Sequence, residues 1–262
     1  MKLISKLLIS IALTALHSNL DFAAVPGAAP GAAAAPSEVS EQVTNKILGN
    51  MEYLRGFRAT GFHFTAEVIT VEGGVNSDQH QLEVKISDKG YALVEVLEPK
   101  NQRGRRTLLR DRDLWLYLPS SANIIRIAPL QRVFGAASIA DVLNVSYRND
   151  YAVESSHKSA DGKLMQLRLK SKEAGATYAR IDLDYDLATD RPVESRHYAA
   201  SERLLKTIQY KAFHDYAGGP KIEKIVIVDG LQPSKAVWMK MSEYEKAAYP
   251  DSMFTKTALS RN

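Results

Sequence analysis

The chain of 262 residues contains no cysteine. That excludes disulfide bonds, thiolate metal sites and a lipid-modified N-terminal cysteine. Exported proteins are not obliged to carry disulfides, so an oxidising compartment remains open to it. Long apolar runs are missing as well: beyond the first residues nothing approaches the ~18 apolar residues of a membrane helix. There is no G-x-S-x-G elbow, no P-loop and no G-x-G-x-x-G. The six histidines, His17, His63, His80, His157, His197 and His214, form neither an H-x-H nor an HExxH pair, so a metal site has no support. No cofactor is expected. A strong excess of one charge is also lacking. The net +4 allows weak contact with anionic headgroups but does not mark a nucleic-acid binder.

What is present begins with an export signal. Lys2 and Lys6 precede the apolar run Leu7 to Leu16, and residues 1–24 read as a secretory signal peptide. Cleavage after Ala24, after Ser18 or near Ala29 fits this anatomy, and an uncleaved anchor is the alternative. The protein is therefore expected in the periplasm. Residues 25–36 are nearly all alanine, proline and glycine, with little to bury, and read as a flexible leader. The folded domain is expected over residues 37–262. With 45% apolar residues it can bury a sizeable core.

Ser37 is a candidate helix cap, with Glu38 and Glu41 near the positive end of the helix. Val39, Val43, Ile47, Met51 and Leu54 recur at three- and four-residue steps and form one apolar stripe, which Gly56 ends. The period then falls to two. Phe62, Phe64, Ala66 and Val68 share one face of a strand; His63, Thr65 and Glu67 share the other. Gly73-Gly74 and the run Ser87 to Gly90 punctuate the next strands, and Pro99 stops the third. A hairpin is expected around Asp111-Arg112-Asp113. Its second strand, Leu114 to Leu118, is apolar on both faces and needs cover on both. A short helix is expected from Ser138. Seven further strands lie between Tyr151 and Glu245, separated by turn residues such as Asp161-Gly162 and Asp229-Gly230. The tail from Asp251 reads as a short helix with Phe254 and Leu259 inward. Eleven or twelve strands at this spacing indicate an α+β domain: one large curved antiparallel sheet with two or three helices against it.

Two charged groupings read as structural. Asp182, Asp184, Asp186 and Asp190 alternate as in a calcium loop, but Leu187 stands where that loop needs glycine and Val193 where it needs glutamate. They read as the exposed face of a strand entering a turn. Arg103, Arg105, Arg106, Arg110 and Arg112 read as a solvated hairpin tip, with contact to an acidic partner or lipid headgroups as the alternative.

The segment from Glu95 to Leu143 carries a more specific pattern. Pro99 to Gly104 make a P-x-x-x-x-G step. Trp115, Tyr117, Leu118, Pro119 and Ser120 make W-x-Y-L-P-S. Ile125, Arg126 and Ile127 form an isoleucine and arginine strand, Asp141 and Val142 open a short helix, and the tail closes on F-T-x-x-x-L. This chain resembles the outer-membrane lipoprotein-sorting (LolA-like) family over residues 40–262, departing from it in the small residues Gly135 to Ser138. The resemblance implies an unclosed β-barrel with the N-terminal helix and short helices packed as a lid over an apolar cavity for acyl chains. Candidate cavity residues are Phe62, Phe64, Trp115, Tyr117, Trp238 and Met239. The expected function is a non-catalytic periplasmic carrier that binds acyl chains of lipoproteins or other lipids and sorts them toward the outer membrane. An inner-membrane export complex would be a further partner, and a monomer is expected. The alternative is a structural or sensing envelope protein on the same scaffold. An envelope hydrolase ranks last, since it needs a nucleophile, a base and an orienting acid within reach of one another.

Overall fold

The computed structural model describes residues 40–56, 60–111, 113–134, 137–138, 146–174 and 176–261. The expected signal peptide, leader and cap Ser37 lie outside the described residues, as do Arg112, Asp141 and Val142. All that follows belongs to the unit Pro36–Asn262.

The first element is helix α1 (Glu41–Leu54), capped by Ser40 rather than Ser37. A 14-residue helix is marginal alone in water, so packing must hold it. Ile47, Leu48, Met51 and Leu54 are all buried, each worth about 1.5–3 kcal/mol. Of the predicted stripe, Ile47, Met51 and Leu54 are buried, Val43 is half-buried, and Val39 lies outside the described residues; Leu48 widens the buried face.

The strands come next: β1 (Phe62–Glu72), β2 (Val75–Ile86), β3 (Ala92–Glu98), β4 (Arg106–Arg110), β5 (Asp113–Leu118) and β6 (Asn123–Ile127). A small hairpin, β7 (Arg132–Phe134) and β8 (Ala137–Ser138), leads to the one-turn helix α2 (Tyr147–Asp150). Ser138, expected to open a helix, ends β8 instead; residues 139–145 lie outside the described ones. Then follow β9 (Tyr151–Lys158), β10 (Leu164–Ser171), β11 (Arg180–Asp186) and β12 (Arg191–Tyr198). The last three are β13 (Leu204–Tyr216), β14 (Gly219–Asp229) and β15 (Lys235–Lys246). The tail turns are 3-10 helices over Asp251–Met253 and Lys256–Ser260, where a single short helix is expected from the sequence.

Thirteen strands form one sheet in the order β6-β5-β4-β3-β2-β1-β15-β14-β13-β12-β11-β10-β9. Every neighbouring pair is antiparallel, and all but one are consecutive in the chain. The exception joins β1 to β15, with Val68 opposite Met239 and Ile69 opposite Trp238. The first and last strands thus meet in the middle, and β6 and β9 are the two edges. The sheet is not closed into a barrel.

The alternation along β1 sets the inner face: Phe62, Phe64, Ala66 and Val68 are buried and the residues between them are half-exposed. Two apolar clusters occupy that face. One gathers β1 to β5 with β14 and β15; the other gathers β9 to β11 with α2. Helix α1 bridges them, giving Leu54 to the first and Ile47, Leu48 and Met51 to the second.

Candidate functional site

The inner apolar face is floored by alternate residues of the central strands. Phe62 and Phe64 lie 6.2 Å apart, ring centre to ring centre. Phe64 stacks on Tyr244 at 5.0 Å, and Tyr216 meets Tyr244 edge-on at 5.2 Å. Met239 is buried in the same cluster. The cover of this floor is the end of α1, through Leu54, and the β7–β8 hairpin, through Val133, Phe134 and Ala137.

Polar contacts pin this cover at its margins. On α1, Asn50 donates to the backbone carbonyl of Asp190 at 2.7 Å and to the Tyr185 hydroxyl. Tyr53 donates to the carbonyl of Gly218 at 2.7 Å, with the Lys221 ammonium 3.7 Å from its ring centre. The hairpin is held by a square of four residues. Arg132 and Ser138 face each other across β7 and β8. Lys206 and Asp229 face each other across β13 and β14. Arg132 pairs with Asp229, and Lys206 donates to the Ser138 hydroxyl at 2.9 Å.

Strand β13 is where the cover ends. It lies inside the sheet between β12 and β14, yet none of its thirteen residues is fully buried. Ile208, Phe213 and Tyr216 pack against the floor while remaining part-exposed, and the Arg191 guanidinium stands 4.7 Å from the centre of the Phe213 ring. An interior strand of a covered sheet is ordinarily shut from water on its apolar face; this one opens onto it.

A polar chain runs beside that opening. His197 Nε2 is 3.0 Å from Ser195 Oγ, Ser195 Oγ is 3.2 Å from the Tyr210 hydroxyl, and that hydroxyl is 3.1 Å from the Tyr147 hydroxyl. Burial pushes the His197 imidazole down to about 3, helped by the positive charges of Arg55 and Lys206, so it is neutral at physiological pH. Its Nδ1 has no hydrogen-bond partner among the described residues. A hydrolytic triad needs an acid on that nitrogen and a serine open to substrate; here serine and histidine are both buried. Nothing in the sequence pattern singled out this chain.

The six candidate residues divide between the two faces. Phe62, Phe64 and Met239 come together on the floor. Trp115 and Tyr117 point to the opposite face, where they pack with Leu108, Phe254 and Leu259, and the Lys256 ammonium lies 4.3 Å from the centre of the Trp115 ring. The two-faced β5 thus has Leu114 and Leu116 under the inner cover and Trp115 and Tyr117 under the C-terminal tail. Trp238 is also on the outer face, 45% exposed, beside a shallow depression of about 230 Å³.

The two charged groupings are structural. Asp182 pairs with Arg168 and Arg180. Asp184 pairs with Arg196, Asp186 accepts from the backbone of Ala188 and Thr189, and Asp190 accepts from Tyr185. Among the described residues no cluster of potential metal ligands occurs. Of the arginines, Arg106 donates to the carbonyls of Leu259 and Arg261, and Arg110 to that of Phe254. These two clamp the C-terminal tail, while Arg103 is exposed and pairs with Glu98, Arg105 donates to Gln102, and Arg112 lies outside the described residues.

A family model described as "Uncharacterized protein" matches residues 88–261. No curated protein matches the chain. Among solved structures, a LolA superfamily protein from Nitrosomonas europaea is similar at 26% identity and a TM-score of 0.71, over 84% of this chain and 99% of that one. An outer membrane lipoprotein-sorting protein domain from Vibrio parahaemolyticus is similar at 18% identity and a TM-score of 0.67, over 83% and 98%. A DUF1329 family protein from Desulfovibrio piger is similar at 17% identity and a TM-score of 0.67, over 83% and 98%.

Proposed function

The chain belongs to the outer-membrane lipoprotein-sorting (LolA-like) family, and on that premise we propose that it is a periplasmic carrier. It takes the acyl chains of a lipoprotein or another lipid onto the inner apolar face and sorts them toward the outer membrane, without catalysis. The residues proposed to meet the chain are Phe62, Phe64 and Met239 on the floor, reached over Ile208 and Phe213.

The reading rests on β13, an interior strand whose apolar face is only half covered. Energetics favour exchange of cover for cargo. A ~16-carbon chain gains roughly 0.8 kcal/mol per methylene on leaving water, on the order of 12 kcal/mol gross. The hairpin contributes two large side chains to the floor, Val133 and Phe134, each worth about 1.5–3 kcal/mol. The rest of α1 is seated on the other cluster, so the hairpin can swing aside while the helix stays docked. Release needs no chemistry, only an acceptor that binds the chain more tightly.

Native mass spectrometry of protein purified gently from the periplasm, with lipid extraction in parallel, tests this. A lipid or lipopeptide at fixed stoichiometry is the expected result. Bare protein that also fails to take up a fluorescent fatty-acid probe would overturn the carrier reading in favour of a structural or sensing role.

A further inference from the structure

The three most exposed large apolar side chains among the described residues are Val75 (69%), Leu231 (53%) and Trp238 (45%). Trp238 is on the outer face, opposite Ile69, and Leu231 lies in the loop that leads into its strand, whereas Val75, opposite Glu72, falls on the other side of the pleat. Val75 begins β2 just after the Gly73-Gly74 turn, and Leu231 sits in the loop between β14 and β15. The two hairpin ends touch: Gly73 N–H donates to the Ser234 carbonyl at 3.1 Å, and Lys235 pairs with Glu72 at 3.2 Å. The Leu231 loop is itself fixed, because Asp229 accepts from the backbone N–H of Leu231 and Gln232. Trp238 stands a few residues up β15 on the outer face, with Ile69 opposite it on β1 and Val226 on β14.

Isolated exposed apolar residues are ordinary, but a half-exposed tryptophan beside a depression lined by Ile69 and Val71 is not. Over β3 to β6 the outer face is covered by the C-terminal tail. Around Trp238 it is left open and bordered by positive charge. Lys224 and Lys240 face each other directly across β14 and β15, and both line the depression beside Trp238. Like charges opposite each other weaken a sheet. Neither lysine has an ion-pair partner among the described residues. Glu67 closes the pair on one side, opposite Lys240, with its carboxylate accepting from Gln79 at 2.7 Å.

We infer that this end of the outer face docks on an anionic lipid surface, with Leu231 and Trp238 entering the headgroup layer and Lys224 and Lys240 facing the lipid charges. A tryptophan suits that depth because its ring is apolar with a polar N–H at one edge. Apolar anchors and two lysines together give reversible attachment, each cation near such a surface adding a modest share. The site lies on the opposite face of the sheet from the proposed acyl floor, so the inference goes beyond the carrier reading and stands without it.

The test is flotation of the purified protein with vesicles of phosphatidylcholine and phosphatidylglycerol in equal parts, against phosphatidylcholine alone. Binding to the anionic vesicles, reduced by salt, is expected. Lys224→Gln with Lys240→Gln should weaken it roughly tenfold or more, and Trp238→Ala should weaken it several-fold. These side chains lie on the outer surface, so the variants should keep the wild-type melting temperature and the wild-type uptake of a fluorescent fatty acid. No vesicle binding, or equal binding by wild type and both variants, would overturn the inference. Loss of fatty-acid uptake with vesicle binding intact would count against the carrier reading alone.

Discussion

Gly56, two residues beyond the end of α1, lies so close to Phe62 that a Cβ on it would fall 2.1 Å from the tip of the ring. The helix that covers the apolar floor therefore joins that floor through a contact only glycine permits. Gly56→Ala should force Phe62 or the helix end aside, lowering stability by about 1–3 kcal/mol. Denaturant unfolding measures the loss, and a rise in fluorescent-probe binding by the folded variant would show that the cover has lifted.

The two faces of the sheet should respond differently to truncation. Phe213→Ser removes a half-buried side chain at the opening and should cost about 1–2 kcal/mol while cutting fatty-acid uptake severely. Trp115→Ala, beneath the C-terminal tail, should cost about 2–4 kcal/mol and leave uptake unchanged. Titration of both variants with the probe, alongside thermal melts, checks the contrast. Equal loss of uptake in the two would sink the assignment of the floor to the inner face.

The square of Arg132, Ser138, Lys206 and Asp229 holds the hairpin by part-buried polar contacts, each worth about 0.5–1.5 kcal/mol. Arg132→Ala combined with Lys206→Ala should lower stability by about 1–3 kcal/mol. It should also speed probe entry, because the hairpin must leave for the chain to enter. Stopped-flow uptake is the measurement, and an unchanged rate would mean that the hairpin is not the barrier.

His197 predicts an acid-sensitive fold. Its imidazole is held down to about 3 in the folded protein, principally by burial, against about 6.5 when unfolded. Below pH ~6.5 the unfolded chain binds a proton that the folded one refuses, so stability falls as pH drops toward 3, by at most ~1.4 kcal/mol per pH unit from this group. Above pH ~6.5 the contribution is flat. His197→Gln should flatten the slope between pH 6 and pH 4 (a window set by those two values) in denaturant unfolding measured at several pH values. An unchanged slope would assign the acid sensitivity to other groups.

Much of this fold was legible in the order of residues. The stripe of Ile47, Met51 and Leu54, the alternation from Phe62 to Val68 and the turns at Gly73-Gly74 and Ser87 to Gly90 are local patterns, and local patterns specify local structure. The inward tail residues Phe254 and Leu259 were legible for the same reason. The double apolar face of Leu114 to Leu118 announced that both sides needed cover. It could not say that the inner cover was the lid and the outer one the C-terminal tail, so Trp115 and Tyr117 were expected with Phe62 and Phe64. Alternation divides a strand into two faces but carries no sign telling which face meets what. Met239 and Trp238 are neighbours in the chain, and the pleat alone sends one to the floor and the other to the surface.

What the sequence by itself determined is therefore the inventory: a β-rich domain with one amphipathic helix, no thiol chemistry and a family pattern centred on Trp115 to Ser120. Tertiary structure alone decided the rest. The pairing of β1 with β15, the square that latches the hairpin and the polar run from His197 to Tyr147 all join residues far apart in the chain. Such contacts depend on how the whole sheet coils and where its last strand returns, and those are set by the sum of many weak packing terms rather than by any one local pattern.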